Sequence, residues 1–334
     1  MPKLKDKLQR PLLDLRVSLI DICNFRCTYC MPAEYDYRFL KDRERMSHEE
    51  IIRLINIFVN LGAERIRLTG GEPLLRPDLS AIVREITDHV ELRDLALTTN
   101  AQLLEKHALE LKEAGLRRVT VSLDALDPKI FHKMSGGRGS LHSVIKGIDK
   151  ALEVGLKPLK INCVLEKGVN DSEIIPLAQF AKDRGVSVRF IEFMDVGNKN
   201  HWLLDRVVPS KEVLKTVEQS FAIEPLNSAF YGEVASHYKF SDSEGGVGFI
   251  SSVTQPFCQT CTRGRLSANG HFYTCLFSGE GVDLLTPMRN GAGNEEISKI
   301  IIDTWNNRTD RYSEERFNSE VDHGRKVEMF HIGG

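Results

Sequence analysis

Three cysteines lie close together near the start of the chain, in the sequence Cys23-Asn24-Phe25-Arg26-Cys27-Thr28-Tyr29-Cys30. Thiolates at this C-x3-C-x2-C spacing can bind three irons of a cubane cluster, whereas an electron-carrying cluster usually has four cysteine ligands. The fourth iron would keep an open position, which a metal centre needs in order to bind a substrate. The spacing therefore predicts a reactive iron–sulfur cluster; a zinc knuckle or a group of core cysteines is the alternative.

A second set of three cysteines lies near the other end of the chain. Its members are Cys258, Cys261 and Cys275. No fourth cysteine is nearby, so this set also predicts a cluster with an open iron, although His271 could instead complete a structural Cys3His zinc site. Arg263 and Arg265 place positive charge beside these ligands at alternate positions. Guanidinium groups bind polyphosphates through paired hydrogen bonds, and a structural zinc has no need of them.

The composition limits the class of protein. The 334 residues are 41% hydrophobic and 28% charged, with a net charge of -2, which indicates a soluble globular protein of one or two domains. A near-neutral chain lacks the basic footprint of nucleic-acid binding, so a few placed arginines and lysines must hold any anionic ligand. The chain has no run of eighteen apolar residues, which predicts that no helix spans a membrane.

The first residues and the use of cysteine bear on localisation. Residues Met1 to Arg10 are basic but lack the apolar core of a signal peptide. Six of the seven cysteines fall in the two triplets, which suits a reducing compartment with metal sites better than secreted disulfides. We therefore expect a cytoplasmic protein, with Cys163 as a packing residue in an apolar strand.

Short β-like runs alternate with longer helical runs from Asp14 to about Val196, a pattern typical of βα units around a parallel sheet. The predicted strands are Leu15–Ile20, Arg65–Thr69, Asp94–Thr98, Arg118–Leu123, Pro158–Leu165 and Val186–Phe193. Ser47 and Glu50 form a capping-box pattern that predicts a helix through Asn60. Six units fall two short of a closed (β/α)8 barrel, so the predicted fold is α/β, a partial and open (β/α)6 TIM-like barrel.

One face of the predicted strands carries positive charge. Arg16, Arg67, Lys160 and Arg189 occupy strand positions that alternate with apolar residues. A barrel interior lined by these cations cannot be a dry core, because unpaired buried charge is too costly. The pattern therefore predicts a cavity that holds a large anion.

Beyond Val196 the alternation decays, which predicts a smaller C-terminal α+β region that carries the second cluster. Asn269-Gly270 predicts a hairpin whose second strand carries Cys275 back towards the other two cysteines. We divide the chain into a barrel domain, residues 1–197, and a C-terminal domain, residues 198–334, that closes the barrel.

Two further motifs are weak when each is taken alone. Thr69-Gly70-Gly71-Glu72-Pro73 ends the second strand, where paired glycines let the backbone approach a ligand and Glu72 offers a carboxylate to an ammonium group. The sequence ends in Gly333-Gly334, which is either a frayed end or a slim strand able to thread into a crowded site.

Together these motifs resemble the radical S-adenosylmethionine (SAM) enzymes and, among them, the GTP 3′,8-cyclase family, which carries out the first step of molybdenum cofactor biosynthesis. The resemblance is carried by the first cysteine loop with Tyr29, the GGEP sequence, Thr98-Thr99-Asn100, Val121–Leu126, Arg189–Met194, Phe257–Leu266 and the final Gly-Gly. It covers essentially the whole chain. The arginine pair of the second triplet and the final glycines are the features particular to this family.

The resemblance implies a lyase that uses SAM and two [4Fe-4S] clusters. The first cluster is expected to reduce SAM, and the resulting 5′-deoxyadenosyl radical to take hydrogen from C3′ of GTP. The C3′ radical then attacks C8 of guanine, which gives (8S)-3′,8-cyclo-7,8-dihydroguanosine 5′-triphosphate. The open iron of the second cluster is expected to bind the purine.

The resemblance also implies roles for individual residues. The expected cluster ligands are Cys23, Cys27, Cys30, Cys258, Cys261 and Cys275. The expected SAM contacts are Tyr29, Gly71, Glu72, Ser122 and Met194. The expected GTP contacts are Arg16, Arg67, Thr98, Lys160, Arg263 and Arg265. Arg189, Gly333 and Gly334 are placed at the catalytic end. On a regular strand, Met194 would point to the opposite face from Arg189. Both can reach the site only if the strand contains a bulge or ends before Met194.

Two other functions remain open. One is a different radical SAM enzyme with an auxiliary cluster, for instance one that modifies a peptide, in which the final glycines and the arginine pair are accidental. The other is a non-enzymatic electron carrier, against which the three-cysteine sites argue. The expected partners are GTP, an electron donor of unspecified identity and, through the product, the next pathway enzyme, cyclic pyranopterin monophosphate synthase. A homodimer is left open, and neither nucleic acid nor a membrane is expected.

Overall fold

A computed structural model describes residues 4–318 and 324–334. Its strands are β1 (Asp14–Ser18), β2 (Arg65–Thr69), β3 (Asp94–Thr99), β4 (Arg118–Ser122), β5 (Lys160–Leu165), β6 (Ser187–Glu192), β7 (Ile223–Leu226), β8 (Ser236–Phe240), β9 (Gly246–Ile250), β10 (Arg263–Leu266), β11 (His271–Tyr273) and β12 (Val282–Asp283). Its α-helices are α1 (His48–Asn60), α2 (Leu79–His89), α3 (Leu104–Glu113), α4 (Pro128–Met134), α5 (Leu141–Glu153), α6 (Ile174–Asp183), α7 (Ser210–Glu218), α8 (Leu285–Arg289), α9 (Asn294–Asn306), α10 (Tyr312–Glu315) and α11 (Met329–Ile332).

The described strands form one sheet that does not close on itself. Its central part is parallel and runs in the order β10, β1, β2, β3, β4, β5, β6, β9. The antiparallel strands β11 and β12 continue it beyond β10, and β8 and β7 continue it beyond β9. The prediction of an open, partial α/β barrel is confirmed, and all six predicted strands are present.

The outer face of the barrel is apolar because side chains alternate along each strand. Leu15, Val17, Ile66 and Leu68 are buried on this face against the helices. The predicted capping box begins α1: Ser47 Oγ accepts a hydrogen bond from the backbone N of Glu50, and the Glu50 carboxylate accepts one from the backbone N of Ser47. No helix in residues 4–318 or 324–334 is long and apolar enough to cross a bilayer.

Strands from the C-terminal part of the sequence extend both edges of the barrel sheet. Strand β10 pairs with β1, and β9 pairs with β6, in both cases in parallel. The predicted hairpin joins β10 to β11, and its register pairs Arg265 with Tyr273. Cys275 lies just beyond the end of β11 and not on a strand, which corrects that prediction, because β11 ends at Tyr273.

The loop between β7 and β8 crosses the gap between the two edges of the open sheet. An ideal Cβ on Gly232 would stand 2.8 Å from Thr262 Cγ2, which shows how closely this loop packs against the residue that precedes β10. The Phe230 ring covers the Arg65 guanidinium, whose central carbon lies 4.2 Å from the ring centroid. The loop therefore lies across the amino-terminal end of the barrel strands.

Candidate active site

A cavity of about 350 Å³ extends through the barrel, a size within the range of about 300–1,000 Å³ that is usual for ligand sites. Both cysteine triplets line it. Cys23 follows the carboxyl end of β1, whereas Cys261 precedes the amino end of β10, which is parallel to β1. The two triplets therefore lie at opposite ends of the cavity.

The structure brings the residues singled out in the sequence to this one cavity. Its walls include Arg16, Cys23, Cys27, Tyr29, Cys30, Arg67, Gly71, Glu72, Thr98, Ser122, Lys160, Arg189, Met194, Cys258, Cys261, Arg263, Arg265, Cys275 and Gly334. Gly333 is beside it, since its carbonyl oxygen accepts a hydrogen bond of 2.7 Å from Arg265 Nη1. Met194 also reaches the cavity, because β6 ends at Glu192, before Met194.

The first cysteine loop presents sulfur to hydrogen-bond donors. Cys23 Sγ lies 3.4 Å from the backbone N of Phe25 and 3.9 Å from Asn100 Nδ2. Such donors stabilise sulfur ligands of iron–sulfur clusters. Without a metal, burial raises the pKa of Cys23 to about 12. Three partly buried cysteines that line an open cavity, with polar donors at Cys23, fit a cluster better than they fit ordinary packing.

The segment after α4 supports the shape of this cysteine loop. The backbone N of Arg26 donates to the carbonyl oxygen of Ser135 at 3.0 Å, and that of Thr28 donates to Met134 at 3.1 Å. The same segment is held from its other side, where the backbone N of Ser140 donates to Gln102 Oε1 at 2.7 Å. Residues 135–140 therefore pack directly on the cysteine loop.

The GGEP sequence places backbone and a carboxylate beside the first cysteine loop. An ideal Cβ on Gly71 would stand 2.2 Å from the Ile22 carbonyl oxygen, so only glycine allows this close approach. The Glu72 carboxylate accepts hydrogen bonds from Leu74 N, Thr99 Oγ1 and Asn100 N at 3.0, 2.6 and 2.8 Å. Burial raises its pKa to about 7. Since a carboxylate offers about four acceptor positions, these three bonds leave capacity for an ammonium group.

Tyr29 is fixed by a buried hydrogen bond. Its hydroxyl donates to Asp124 Oδ2 at 2.9 Å, and Asp124 Oδ1 accepts from the backbone N of Val164 at 2.8 Å. Burial raises the pKa of Asp124 to about 6. The Tyr29 side chain thereby links the cysteine loop to β5 across the carboxyl end of the barrel.

Six cations line the cavity without an ion-pair partner among the described residues. They are Arg16, Arg67, Lys160, Arg189, Arg263 and Arg265. The acidic residues at the amino end of the barrel are already paired: Asp14 binds Arg65, and Asp94 binds Arg118. The cavity therefore has an excess of positive charge, which a polyanionic ligand would neutralise.

The sheet register concentrates this charge. Arg16 lies between Arg265 on one neighbouring strand and Arg67 on the other. Burial and these neighbouring arginines lower the pKa of Arg16 well below its ordinary value. No hydrogen bond joins its guanidinium to any residue in the described part of the chain, whereas Arg67 Nη1 donates to Thr98 Oγ1 at 3.1 Å. Arg16 is thus a partly buried cation whose donors remain available to a ligand.

The second triplet lies among arginines. Arg263 Nη2 is 3.3 Å from Cys261 Sγ, and Arg308 Nη1 donates to the Cys261 carbonyl oxygen at 2.9 Å. Burial raises the pKa of Cys261, but Arg263 and Arg308 outweigh that effect and lower it to about 6. The β10–β11 register continues from the Arg265–Tyr273 pair and brings Cys275 towards Arg263, beside Cys261.

The structure separates His271 from the second triplet. His271 begins β11 at the turn of the hairpin, and its Nδ1 lies 3.3 Å from the Asn269 carbonyl oxygen. Cys261 lies at the opposite end of that hairpin, so His271 is not placed as a fourth zinc ligand. No three His, Cys, Asp or Glu side chains of the described residues converge on a single-ion site. A cubane, by contrast, takes each thiolate on a different iron and needs a wider arrangement.

The cavity wall also contains an acidic group, Glu233, and a basic group, His237, which the sequence patterns did not reveal. His237 Nε2 lies 2.9 Å from Glu233 Oε1, and both residues line the cavity. The register places His237 opposite Gly248, which itself lies opposite Arg189. Both groups lie outside the predicted barrel strands, so only the pairing of β9 with β6 brings them to the site.

The fold and the cysteine loop define a radical SAM protein. A family model described as the Radical SAM superfamily matches residues 17–181, and one described as Molybdenum Cofactor Synthesis C matches residues 186–314. Among solved structures, SuiB of Streptococcus suis bound to S-adenosylmethionine has a similar fold, with a TM-score of 0.58 and 15% sequence identity. The similarity covers 94% of this chain and 69% of SuiB.

More similar relatives narrow the class. The GTP 3′,8-cyclase of Staphylococcus saprophyticus is 45% identical over 338 residues, and that of Xanthomonas axonopodis pv. citri is 46% identical over 334 residues. Both similarities cover 99% of this chain and 99% of the relative. The chain belongs to the GTP 3′,8-cyclase family of radical SAM enzymes, and the resemblance inferred from its motifs is confirmed.

Proposed function

We propose that this protein converts GTP to (8S)-3′,8-cyclo-7,8-dihydroguanosine 5′-triphosphate, the first step of molybdenum cofactor biosynthesis. The observation that carries the proposal is the cavity lined by six cations without ion-pair partners among the described residues, with a cysteine triplet at each end. Such a cavity suits a substrate that combines a polyphosphate with a group to be modified. The names of the relatives with 45% and 46% identity support GTP as that substrate.

The carboxyl end of the barrel would hold the first cluster and SAM. Cys23, Cys27 and Cys30 would bind a [4Fe-4S] cluster, which when bound supplies the electron for the reductive cleavage of SAM. The backbone at Gly71 and the spare acceptor capacity of Glu72 would receive the amino acid part of SAM. The other proposed SAM contacts, all of which line this cavity, are Tyr29, Ser122 and Met194.

The middle of the cavity would bind the triphosphate of GTP. Arg16, Arg67 and Arg265 lie side by side in the sheet register, and Lys160 faces the same cavity. Guanidinium groups in such a row can bind several phosphate oxygens at once. Thr98 Oγ1 accepts from Arg67 Nη1 and so orients that guanidinium towards the ligand.

The amino end of the barrel would hold the guanine. We propose that Cys258, Cys261 and Cys275 would hold a second [4Fe-4S] cluster, which would supply an iron able to bind the purine. Arg263 lies between this triplet and the arginine row, so it can contact both the cluster ligands and the nucleotide. The phosphates and the base of one GTP molecule would then occupy the cavity from its middle to the amino end of the barrel.

Arg189 and the final glycines complete the proposed site. Arg189 Nε donates to Asn162 Oδ1 at 2.9 Å, which fixes its guanidinium beside β5. The Gly333 carbonyl oxygen accepts from Arg265, so the C-terminal segment orients one member of the arginine row. The proposed partners are an electron donor and, through the product, cyclic pyranopterin monophosphate synthase.

Replacement of Arg16 by Ala tests the nucleotide site. The variant should lose about ten- to a hundredfold in GTP affinity, because a charge-assisted hydrogen bond is worth about 1.5–3 kcal/mol. SAM affinity should remain within about twofold, since the proposed SAM contacts lie at the carboxyl end of the barrel and Arg16 lies in the middle of the cavity. Equilibrium binding of both ligands to the cluster-loaded protein measures this. The control Arg84→Ala removes an exposed arginine of α2 and should change neither affinity. Equal losses of both ligands would contradict the assignment.

The charge of Lys160 should make GTP binding depend on pH. Burial, together with the charges of Arg189 and Arg118, lowers the pKa of Lys160 to about 8. The ammonium is charged below that pH and neutral above it, so affinity for GTP should fall as pH rises through about 8. Lys160→Arg should remove this step, because a guanidinium stays protonated throughout that range. Dissociation constants for GTP, measured from about pH 6.5 to 9.5, test this prediction. If the loss of GTP affinity near pH 8 persisted in Lys160→Arg, a group other than Lys160 would be responsible for it.

A further inference from the structure

The C-terminal tail, residues 324–334, is held by the turn that follows β6. This turn, residues 195–198, begins directly after Met194, a proposed SAM contact. The Met194 carbonyl oxygen is itself held by Asn200 Nδ2 at 2.8 Å. The turn is therefore a fixed element at the carboxyl end of the barrel, next to the site described above.

Asn198 binds the tail through its side chain and its backbone. Asn198 Nδ2 donates to the Lys326 carbonyl oxygen at 2.5 Å, and Asn198 Oδ1 accepts from the Lys326 backbone N at 3.1 Å. The backbone N and the side-chain Nδ2 of Asn198 both donate to Glu328 Oε1, at 3.2 and 3.1 Å. At Gly197, which has a φ of +64°, an ideal Cβ would stand 2.2 Å from Glu328 Oε2. The fit between turn and tail is thus specific to these residue types.

Asp195 supplies the ionic part of the contact. Lys326 Nζ donates to both Asp195 Oδ2 and the Asp195 carbonyl oxygen at 2.7 Å. Arg316 Nε donates to Asp195 Oδ1 at 2.8 Å, and the Tyr312 hydroxyl also donates to this carboxylate. Burial raises the pKa of Asp195, but Arg316 and Lys326 outweigh it and hold the pKa below its ordinary value. The carboxylate is therefore charged when it binds the tail.

Beyond these contacts the tail enters the cavity. Phe330 packs edge-on against Tyr37, with ring centroids 5.4 Å apart, and Met329, Phe330 and Gly334 line the cavity wall. Between them, Gly333 accepts the hydrogen bond from Arg265. Any shift of Lys326 and Glu328 would be transmitted through a few residues to this arginine.

We propose that Asp195 and Asn198 are positioning residues that, with Lys326 and Glu328, clamp the C-terminal tail so that its glycines meet the arginine row. The clamp connects the SAM end of the cavity to the phosphate-binding part. Asp195 is adjacent to Met194, a proposed SAM contact, and Gly333 near the end of the tail contacts Arg265. The inference rests on the proposed role of Gly333 and Gly334. It assigns to the turn after β6 a function that the barrel scaffold alone does not require.

Two substitutions test the clamp in the cluster-loaded enzyme. Asn198→Ala removes three side-chain bonds from an exposed position, so it should not affect folding, and Lys326→Met removes the bonds to Asp195 while keeping the aliphatic stem. Asn290→Ala, an exposed asparagine at the end of α8, is the control. Hydrogen–deuterium exchange of the peptide that contains residues 324–334 reports the tail directly. The yields of 5′-deoxyadenosine and cyclised nucleotide report its effect on the reaction.

Both clamp variants should exchange the tail amides about tenfold faster or more, whereas the control should not. Their kcat for cyclisation should fall about tenfold or more, with KM for SAM within about twofold and more 5′-deoxyadenosine formed per product. Unchanged exchange in both variants would overturn the clamp. Faster exchange with full cyclisation would show that Asp195 and Asn198 hold the tail but that cyclisation does not require a fixed tail. This result would overturn both the positioning role and the proposed role of the glycines. If iron content or SAM cleavage fell by the same factor as cyclisation, the contact would be purely structural, and this result would also overturn the proposal.

Discussion

Replacement of Cys258, Cys261 and Cys275 together by Ser should abolish cyclised nucleotide while SAM is still cleaved slowly. The first triplet lies at the opposite end of the barrel, so its cluster and the SAM site should survive the change. Iron content should fall from about eight to about four per chain, with sulfide in parallel, as expected for the loss of one of two cubanes. Iron, sulfide, 5′-deoxyadenosine and nucleotide products are measured in one anaerobic preparation.

Two cysteine variants complete this experiment. Cys27→Ser should lose both SAM cleavage and cyclisation, because it removes a proposed ligand of the first cluster. Cys163→Ala is the matched control: Cys163 is buried in β5, outside the cavity, and its loss should leave both clusters in place. Normal cyclisation by the triple serine variant, or stoichiometric zinc at the second triplet of the wild type, would disprove a second cluster with a substrate role.

Gly333→Ala should reduce cyclisation about a hundredfold or more, the loss expected when reacting groups are displaced by about 1 Å. Gly333 has a φ of +73°, which L-residues rarely adopt, and an ideal Cβ there would stand 2.2 Å from Thr69 Cγ2. The tail must therefore move, and the hydrogen bond from Arg265 to the Gly333 carbonyl oxygen is lost. Cluster content and SAM cleavage should persist. Side-by-side yields of 5′-deoxyadenosine and cyclised nucleotide measure the effect.

The glycine experiment has both a control and a rescue. Gly291 also has a positive φ, of +95°, but a Cβ there would meet nothing within 4 Å, so Gly291→Ala should keep full activity. Thr69→Ser removes the methyl group that the new Cβ would strike, so it should partly restore cyclisation to Gly333→Ala. Wild-type yields from Gly333→Ala alone would exclude a role for the tail in the reaction.

Much of the barrel could be predicted from the sequence because its signals are local. Strand side chains alternate between the two faces of a sheet. The sequence alone therefore places Arg16, Arg67 and Lys160 on the same face, without any knowledge of which strands pair. The cysteine spacing placed the first metal site in the same way. Ser47 and Glu50 marked the start of α1, since a capping box is defined within four residues.

Other parts of the site depend on contacts between distant residues and gave no such signal. The pairing of β10 with β1 brings Arg265 beside Arg16, although 249 positions separate the two in the sequence. The Asp195–Lys326 contact joins a turn to the tail, where neither residue belongs to a periodic element. Glu72 has three internal hydrogen bonds that its motif does not reveal, because two of their donors lie on or just after β3.

The central claim is that this cavity brings SAM and GTP together for hydrogen abstraction at C3′. The direct test is mass spectrometry of the 5′-deoxyadenosine made anaerobically by the reconstituted, reduced protein from SAM and GTP that carries deuterium at C3′. Deuterium should appear in the 5′-deoxyadenosine together with a cyclised nucleotide, and neither should appear when ATP that carries the same label replaces GTP. Deuterium-free 5′-deoxyadenosine with GTP, or equal transfer from both nucleotides, would contradict the central claim.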